Sequence, residues 1–270
     1  MNYTLRNLTP ADVPSAMELS IAANWNQTAE DWMRLVRLAP AGCRCLEGDG
    51  CVVATTSVVV YDGQLGWVGM VLTRPENRRL GLARRLMEDA LTSAEREGVR
   101  TLKLDATDAG RSLYESLGFV VEGRVERWER LASGSDDVSN SYNEGLNAEV
   151  LTLDAAAFGV SREPLLRDLE ATGACRTSAT GYVCSRSGRT ARSLGPCVAR
   201  SSREARDLIA AELQDPSRWY WDLLPCNADA VACAQEFGFA PSRALWRMRR
   251  GEPIENNDML VYATAGFELG

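Results

Sequence analysis

Hydrophobic and polar positions along this chain follow two rhythms, one alternating and one of helical spacing, and their order predicts the architecture. "NYTLRNLT" alternates as a first strand, and "PADVPSAMELSIAAN" follows as a helix with Pro10 in its first turn. "TAEDWMRLVRLA" is a second helix, capped by Thr28, with Trp32, Leu35, Val36 and Leu38 as its apolar stripe. Strands are predicted at "GCRCLEG", "CVVATTSVVVYDG" and "LGWVGMVLTRP". Leu82, Ala83, Leu86, Met87, Ala90, Leu91 and Ala94 then recur at helical spacing until Gly98 stops them. "VRTLKLDAT" is a strand, "AGRSLYESLGF" a short helix with Gly118 as a left-handed cap, and "VVEGRVERWER" a returning strand. The result is an α/β layered (α+β) architecture, a mixed central sheet flanked by helices.

Between residues 131 and 148 the text turns to Ser, Asn, Asp and Gly with few large apolar residues, which marks a linker. Beyond it "SREPLLRDLEATG", "REARDLIAAELQ" and "NADAVACAQEFGF" read as helices. "TGYVCSRSGRTARSLGPCVARS" reads as a hairpin plus strand, "RWYWDLL" as a strand, and the end again as strand. The second order echoes the first. "LGF" at 117–119 and "FGF" at 237–239 each close a short helix and open an alternating strand, which points to a diverged internal duplication.

Charge narrows the function. The chain has 37 acidic and 30 basic side chains, a net charge of -7, which disfavours nucleic acid and anionic membrane surfaces and favours a cationic or neutral small partner. No apolar run approaches the roughly 20 residues of a membrane span, and the N-terminus lacks a signal-peptide pattern, so a cytoplasmic protein is expected. Its eight cysteines (Cys43, Cys45, Cys51, Cys175, Cys184, Cys197, Cys226 and Cys233) do not follow a disulfide-scaffold spacing, and reduced thiols are expected. There is no histidine, which removes imidazole chemistry altogether. "CRCLEGDGC" reads as strand, hairpin turn and strand better than as a metal site, and no metal is expected.

One segment stands against this acidic background. "RRLGLARRLMEDA", 78–90, gathers four arginines around Gly81 where a loop turns into an amphipathic helix. A helix start presents unpaired N–H groups and a positive dipole end, Gly81 lets an anion approach the backbone, and guanidinium groups add bidentate donors. That is a phosphate cradle. The plainer alternative is a solvated basic face with Glu88 and Asp89 as i,i+4 partners.

"RRLGLA" resembles the Arg/Gln-x-x-Gly-x-Gly/Ala signature of the GNAT superfamily of N-acyltransferases. "WVGMVLTRP" is similar to that family's central strand and "LDATDAGRSLYESLGFVVEG" to its later strand, helix and strand, in the family's order over roughly residues 3 to 130. The resemblance implies acetyl-CoA as co-substrate, with its pyrophosphate on Arg78, Arg79, Leu80, Gly81, Leu82, Ala83 and Arg84. It places the thioester against Met70, Val71 and Leu72, and brings Ala106 and Thr107 to the cofactor. It extends to two-domain bacterial members. On that pattern 1–130 is the acyl-CoA-binding catalytic domain, 131–148 the linker, and 149–270 a smaller, degenerate GNAT-like domain. Its "LGPCVARSSREARDLI" lacks the Gly-turn, with Ser201 and Ser202 as helix caps, so it is expected to shape the acceptor site or to mediate self-association as a homodimer.

Acyl transfer from a thioester to an amine needs a neutral amine, a stabilised oxyanion and a proton for the departing thiolate. Tyr114 occupies the position of the general acid in many family members, and a phenol stays protonated at neutral pH; a core tyrosine is the alternative. Asp105, at the carboxyl end of its strand, is the candidate base, unless it is a solvated or capping Asp. Asp222 is a second candidate, from a C-terminal half folded over the cleft. Gly69 fits a strand interior closely approached by something else, or a bulge. Asn24, Trp25, Asn26 and Gln27 set a large ring beside several amides, suited to a polar acceptor or, more plainly, to a helix connection. The expected function is an N-acetyltransferase for a small-molecule amine, acting by direct attack in a ternary complex. The alternatives are a protein lysine or N-terminal acetyltransferase, and a non-catalytic acyl-CoA sensor.

Overall fold

The computed structural model describes residues 2–132 and 145–270, so most of the expected linker at 131–148 lies outside the described residues. The first half runs β1 (Thr4–Asn7), a 3₁₀ turn (Pro10–Asp12), α1 (Val13–Ala22), α2 (Ala29–Leu38), β2 (Arg44–Gly48), β3 (Cys51–Tyr61) and β4 (Leu65–Thr73). It continues with α3 (Leu82–Arg96), β5 (Thr101–Ala106), α4 (Asp108–Ser116) and β6 (Val120–Arg130). The second half runs α5 (Ala148–Phe158), α6 (Glu163–Thr172), β7 (Ala174–Thr177), β8 (Gly181–Arg186) and β9 (Arg192–Ala199). It ends with α7 (Ser202–Glu212), β10 (Trp219–Leu223), α8 (Ala228–Glu236), β11 (Ala240–Gly251) and β12 (Val261–Ala263).

Local chemistry sets these boundaries. Thr28 caps α2 through a capping box with Asp31. The β2–β3 hairpin turns at Asp49 and Gly50, both at positive φ, the arrangement that a tight hairpin turn requires. Gly118 and Gly238 are left-handed, and the amides that follow them bond back in the same way, Phe119 N to Tyr114 O (3.0 Å) and Phe239 N to Ala234 O (2.9 Å). The repeated Gly-Phe is therefore one structural device used twice. Pattern reading did not predict α5, because it is rich in apolar residues and has no clean polar stripe; Asn147 caps it and the left-handed Gly159 ends it.

All twelve strands belong to one mixed sheet, in the order β1-β2-β3-β4-β5-β11-β6-β10-β9-β8-β7, with β12 beside β9. The two halves exchange their last long strands. β11, from the second half, pairs with β5 of the first, and β6, from the first half, pairs with β10 of the second. β6 and β11 also pair with each other at the centre. Two ion pairs sit at equivalent points of this exchange. Arg247 on β11 faces Asp105 on β5, with Nε and Nη2 each 2.9 Å from a carboxylate oxygen. Arg127 on β6 faces Asp222 on β10 in the same bidentate way, at 2.7 and 2.6 Å. All four side chains are largely or wholly buried.

One helical layer is shared by both halves: Trp32 and Leu35 of α2 belong to the same core as Leu165 and Leu166 of α6 and Tyr182 of β8. The opposite face is divided, with α3 and α4 covering the first half and α7 and α8 the second. The buried Arg34 ties α2 to α6 through Asp168 (2.7 Å). Among the described residues no helix is long and apolar enough to cross a membrane.

One cysteine expectation is corrected. Cys175 and Cys184 form a disulfide, and the reason is register: they are direct cross-strand partners in the β7–β8 hairpin, Cα atoms 4.0 Å apart. Two residues directly opposite in an antiparallel pair hold their Cβ atoms close enough for this bond.

The exchange predicts a stability cost. Asp105→Ala leaves a buried guanidinium unpaired and is expected to destabilise the chain by about 3–5 kcal/mol in urea unfolding, whereas the double change Asp105→Leu with Arg247→Met should recover most of that loss.

Candidate active site

The site begins where two parallel strands part. β4 and β5 pair only over Leu65–Trp67 and Thr101–Lys103. Beyond that point β4 carries a bulge: its register against β3 slips between Thr55 and Ser57, and Met70 sits at φ 51°. Thr55 Oγ1 donates to the Met70 carbonyl at 2.8 Å and holds the bulge. The carboxyl ends of the strands therefore diverge, leaving β4 from Val68 onward without a ladder partner on its β5 side. A cleft of about 490 Å³ opens there, lined by Met70, Val71, Leu72, Thr107 and Tyr114 among others.

At the mouth of this cleft lies the arginine turn. Gly81 is left-handed (φ 75°), and no side chain caps the first turn of α3. A Cβ added at Gly81 would meet nothing within 4 Å, so the space above these amides is open. Arg79, also left-handed at φ 64°, makes no ion pair or side-chain hydrogen bond with any described residue. The other three arginines are anchored: Arg78 Nε donates to the Thr73 carbonyl (3.3 Å), Arg84 Nη2 to Ser116 Oγ (2.7 Å) and Arg85 Nη1 to the Tyr3 carbonyl (2.9 Å). Of the expected helical partners, Glu88 is 3.8 Å from Arg84, and Asp89 pairs instead with Arg44. Leu82 is buried beneath the turn, Leu80 is exposed, and Arg78 and Ala83 reach the cleft wall.

Tyr114 lines the cleft from α4. Thr107 caps that helix through Gly110 N, and a Cβ at Gly110 would lie 3.1 Å from the Tyr114 ring, so the glycine makes room for it. Burial pushes the Tyr114 hydroxyl up to about 12. Ala106 is buried behind this wall.

Asp105 also lines the cleft, but its carboxylate is held by Arg247, and burial raises its pKa against the opposing pull of that guanidinium. Asp222 is bound to Arg127 in the same way; Arg127 reaches the cleft wall and Asp222 does not. Both carboxylates are occupied in the strand exchange.

Of the connection after α1, Trp25 and Gln27 line the cleft. Asn24 is an exposed left-handed turn residue. Asn26 is buried against the second half: its amide donates to the Ala191 carbonyl (2.9 Å) and accepts from the Thr190 and Ala191 N–H groups. It ties the halves together, a role that depends on partners some 165 residues away.

The remaining wall comes from the second half, as Arg243, Leu245, Phe267 and Glu268. Sequence reading did not single these out, since no local pattern marks "TAGFELG" or a strand arginine as cleft-facing. Gly69 is explained here: a Cβ on it would lie 2.9 Å from Glu268 backbone atoms, so the close approach is made by the chain's own tail. Glu268 is buried, and burial raises its pKa above the ordinary carboxyl range despite Arg186 Nη2 at 3.3 Å from Oε1.

The second half has no counterpart of this machinery. β9 reaches α7 through Arg200 and Ser201 alone, Ser201 caps the helix, and Ala234 stands where the first half has Tyr114. Among the described residues no group of three metal-binding side chains occurs.

Comparison with known proteins finds a match in each half. The acetyltransferase (GNAT) family model matches residues 10–119, and a second acetyltransferase (GNAT) domain model matches 150–263. An uncharacterized N-acetyltransferase of Bacillus subtilis (strain 168), YitH, is 27% identical over 223 residues, 76% of this chain and 77% of that protein. A putative acetyltransferase of Pyrococcus horikoshii has the same fold, with a TM-score of 0.87 at 22% identity over 99% of this chain and 96% of its own. A tandem GNAT protein from the clavulanic acid biosynthesis pathway matches at a TM-score of 0.64 and 15% identity, over 93% of this chain and 99% of its own.

The burial of Tyr114 has a direct spectroscopic consequence. The difference in phenolate absorbance between the parent and Tyr114→Phe is expected only as pH approaches about 12. A difference centred near the ordinary tyrosine value of about 10 would mean that the hydroxyl is solvated.

Proposed function

From the premise that the chain belongs to the GNAT acetyltransferase superfamily, as two such domains in tandem, we propose that its first half transfers an acetyl group from acetyl-CoA to the amine of a small molecule. The observation that carries this reading is the open, uncapped start of α3 at Gly81, set at the mouth of the cleft between β4 and β5 with Tyr114 on its wall. The residues fit the co-substrate. The N–H groups of the first turn of α3 can donate to a diphosphate, and the free Arg79 guanidinium adds charge-assisted donors. The unpaired edge of β4 offers backbone donors to the thioester arm and, around Met70–Leu72, to the carbonyl oxygen that gains charge.

In the proposed reaction a neutral amine in the cleft attacks the thioester carbon, a C–N bond forms and the C–S bond breaks. Tyr114 gives its proton to the departing sulfur, and the amine nitrogen gives up a proton that restores the phenol directly or through water. An acceptor that arrives as an ammonium ion loses one further proton, which leaves to solvent. A small acceptor is favoured because Trp25, Leu245 and Phe267 are among the residues that wall a cleft of about 490 Å³.

Calorimetric titration with acetyl-CoA tests the cradle. Gly81→Glu meets no neighbouring atom and sets a carboxylate against the diphosphate; because any side chain is strained at φ 75°, Gly81→Ala is titrated beside it as the control for backbone strain. Affinity should fall by about 10–100-fold in Gly81→Glu with Arg79→Ala, on the scale of one or two lost charge-assisted hydrogen bonds. Equal affinity would remove the reading. In a thiol-release assay Tyr114→Phe should lower kcat by about 10²–10⁴-fold with little change in acetyl-CoA affinity.

A further inference from the structure

At the acceptor end of the cleft two buried side chains each leave an oxygen without a partner. Gln27 is 8% exposed and its Oε1 accepts no hydrogen bond; Glu268 is 4% exposed and its Oε2 accepts none. Both line the cleft. Leaving two buried acceptors unsatisfied costs free energy in the empty protein, and the ligand that removes the cost is a donor with several N–H bonds. An ammonium or amine nitrogen is such a donor.

A third group has the opposite character. Arg243, on β11, lines the same cleft half-buried and forms no ion pair or side-chain hydrogen bond with any described residue. Its neighbour Arg127 is neutralised by Asp222, whereas Arg243 has no carboxylate partner of its own among the described residues. Arg127 interacts electrostatically with both Arg243 and Glu268, so the cation and the Glu268 acceptor share a neighbour on the cleft wall. A single planar guanidinium matches a carboxylate in charge and in bidentate geometry.

We infer that the acceptor is a primary amine bearing a carboxylate, an amino-acid-like molecule, whose amine is held by Glu268 and Gln27 and whose carboxylate is held by Arg243. The inference rests on the reading of the cleft as an acyl-transfer site and names its substrate class. Glu268 is then a catalytic residue: it receives the proton that the ammonium loses before attack and releases it to solvent. Burial suits it to that task, because a carboxyl whose neutral form is favoured takes up a proton more readily than an exposed one. The groups facing it are Arg186 of β8, Asp31 of α2, Arg127 of β6 and Tyr61 of β3.

The test offers the whole protein, with acetyl-CoA, a panel of amino acids beside their methyl esters, their decarboxylated amines and an aminoalkyl phosphate of similar length. At least one amino acid should be acetylated with kcat/KM about 10-fold or more above its ester and its decarboxylated amine. Arg243→Gln should erase that preference through a KM for the amino acid raised about 10–100-fold. Glu268→Gln should lower kcat/KM by about 100-fold or more while acetyl-CoA affinity stays near the parent's, which shows that the fold survives the loss of charge beside Arg186. Matched amines used equally well, a preference that survives Arg243→Gln, a better rate with the phosphate, or no amino acid acetylated would each overturn the inference. Acetyl-CoA titration of the same variants separates the two readings. Normal binding with no carboxylate preference sinks the acceptor class alone, whereas no binding in the parent sinks the acyl-transfer reading itself.

Discussion

Two buried arginine–aspartate pairs hold this molecule together. Arg247 with Asp105 and Arg127 with Asp222 each join the last long strand of one half to the penultimate strand of the other. In a buried setting the charges are costly unless they meet with good geometry, and both pairs meet bidentately. They therefore fix register: a strand displaced by one residue would bury two uncompensated charges. Because the exchange is reciprocal, neither half completes its sheet alone.

The functional site inherits its shape from that constraint. β11 must lie against β5, which brings Arg243 and Leu245 to a cleft that β4 and α4 also line. The tail after β12 returns over β4, close enough at Gly69 to exclude any side chain there, and sets Phe267 and Glu268 into the same space. Among its described residues the second half lacks the left-handed glycine turn and the tyrosine, but it supplies Arg243, Leu245, Phe267 and Glu268 to the wall.

Much of this was legible in the chain itself, and the reasons are local. The β4–turn–α3 unit was readable because Gly81, Leu82 and Leu86 sit at positions whose spacing has one physical meaning, and Thr28 and Gly118 announce helix ends by their own chemistry. What could not be read depends on partners distant in sequence. Asp105 and Asp222 look like free carboxylates until the exchange supplies their arginines. Asn26 looks like a pocket amide until residues 190 and 191 fold onto it. The Cys175–Cys184 bond needed only the hairpin register, but isolated cysteine spacings do not state a register. Glu268 carries no signal at all in "GFELG"; its meaning comes from burial with one oxygen left over.

The central claim is that main-chain amides at the start of α3 grip the diphosphate of the co-substrate, and a crystal structure grown with coenzyme A tests it most directly. The account predicts diphosphate oxygens within hydrogen-bond distance of the N–H groups of Leu82, Ala83 and Arg84, with the thiol arm running along β4 toward Tyr114. Density for the coenzyme in the second half, or over another loop with the α3 turn left bare, would contradict it.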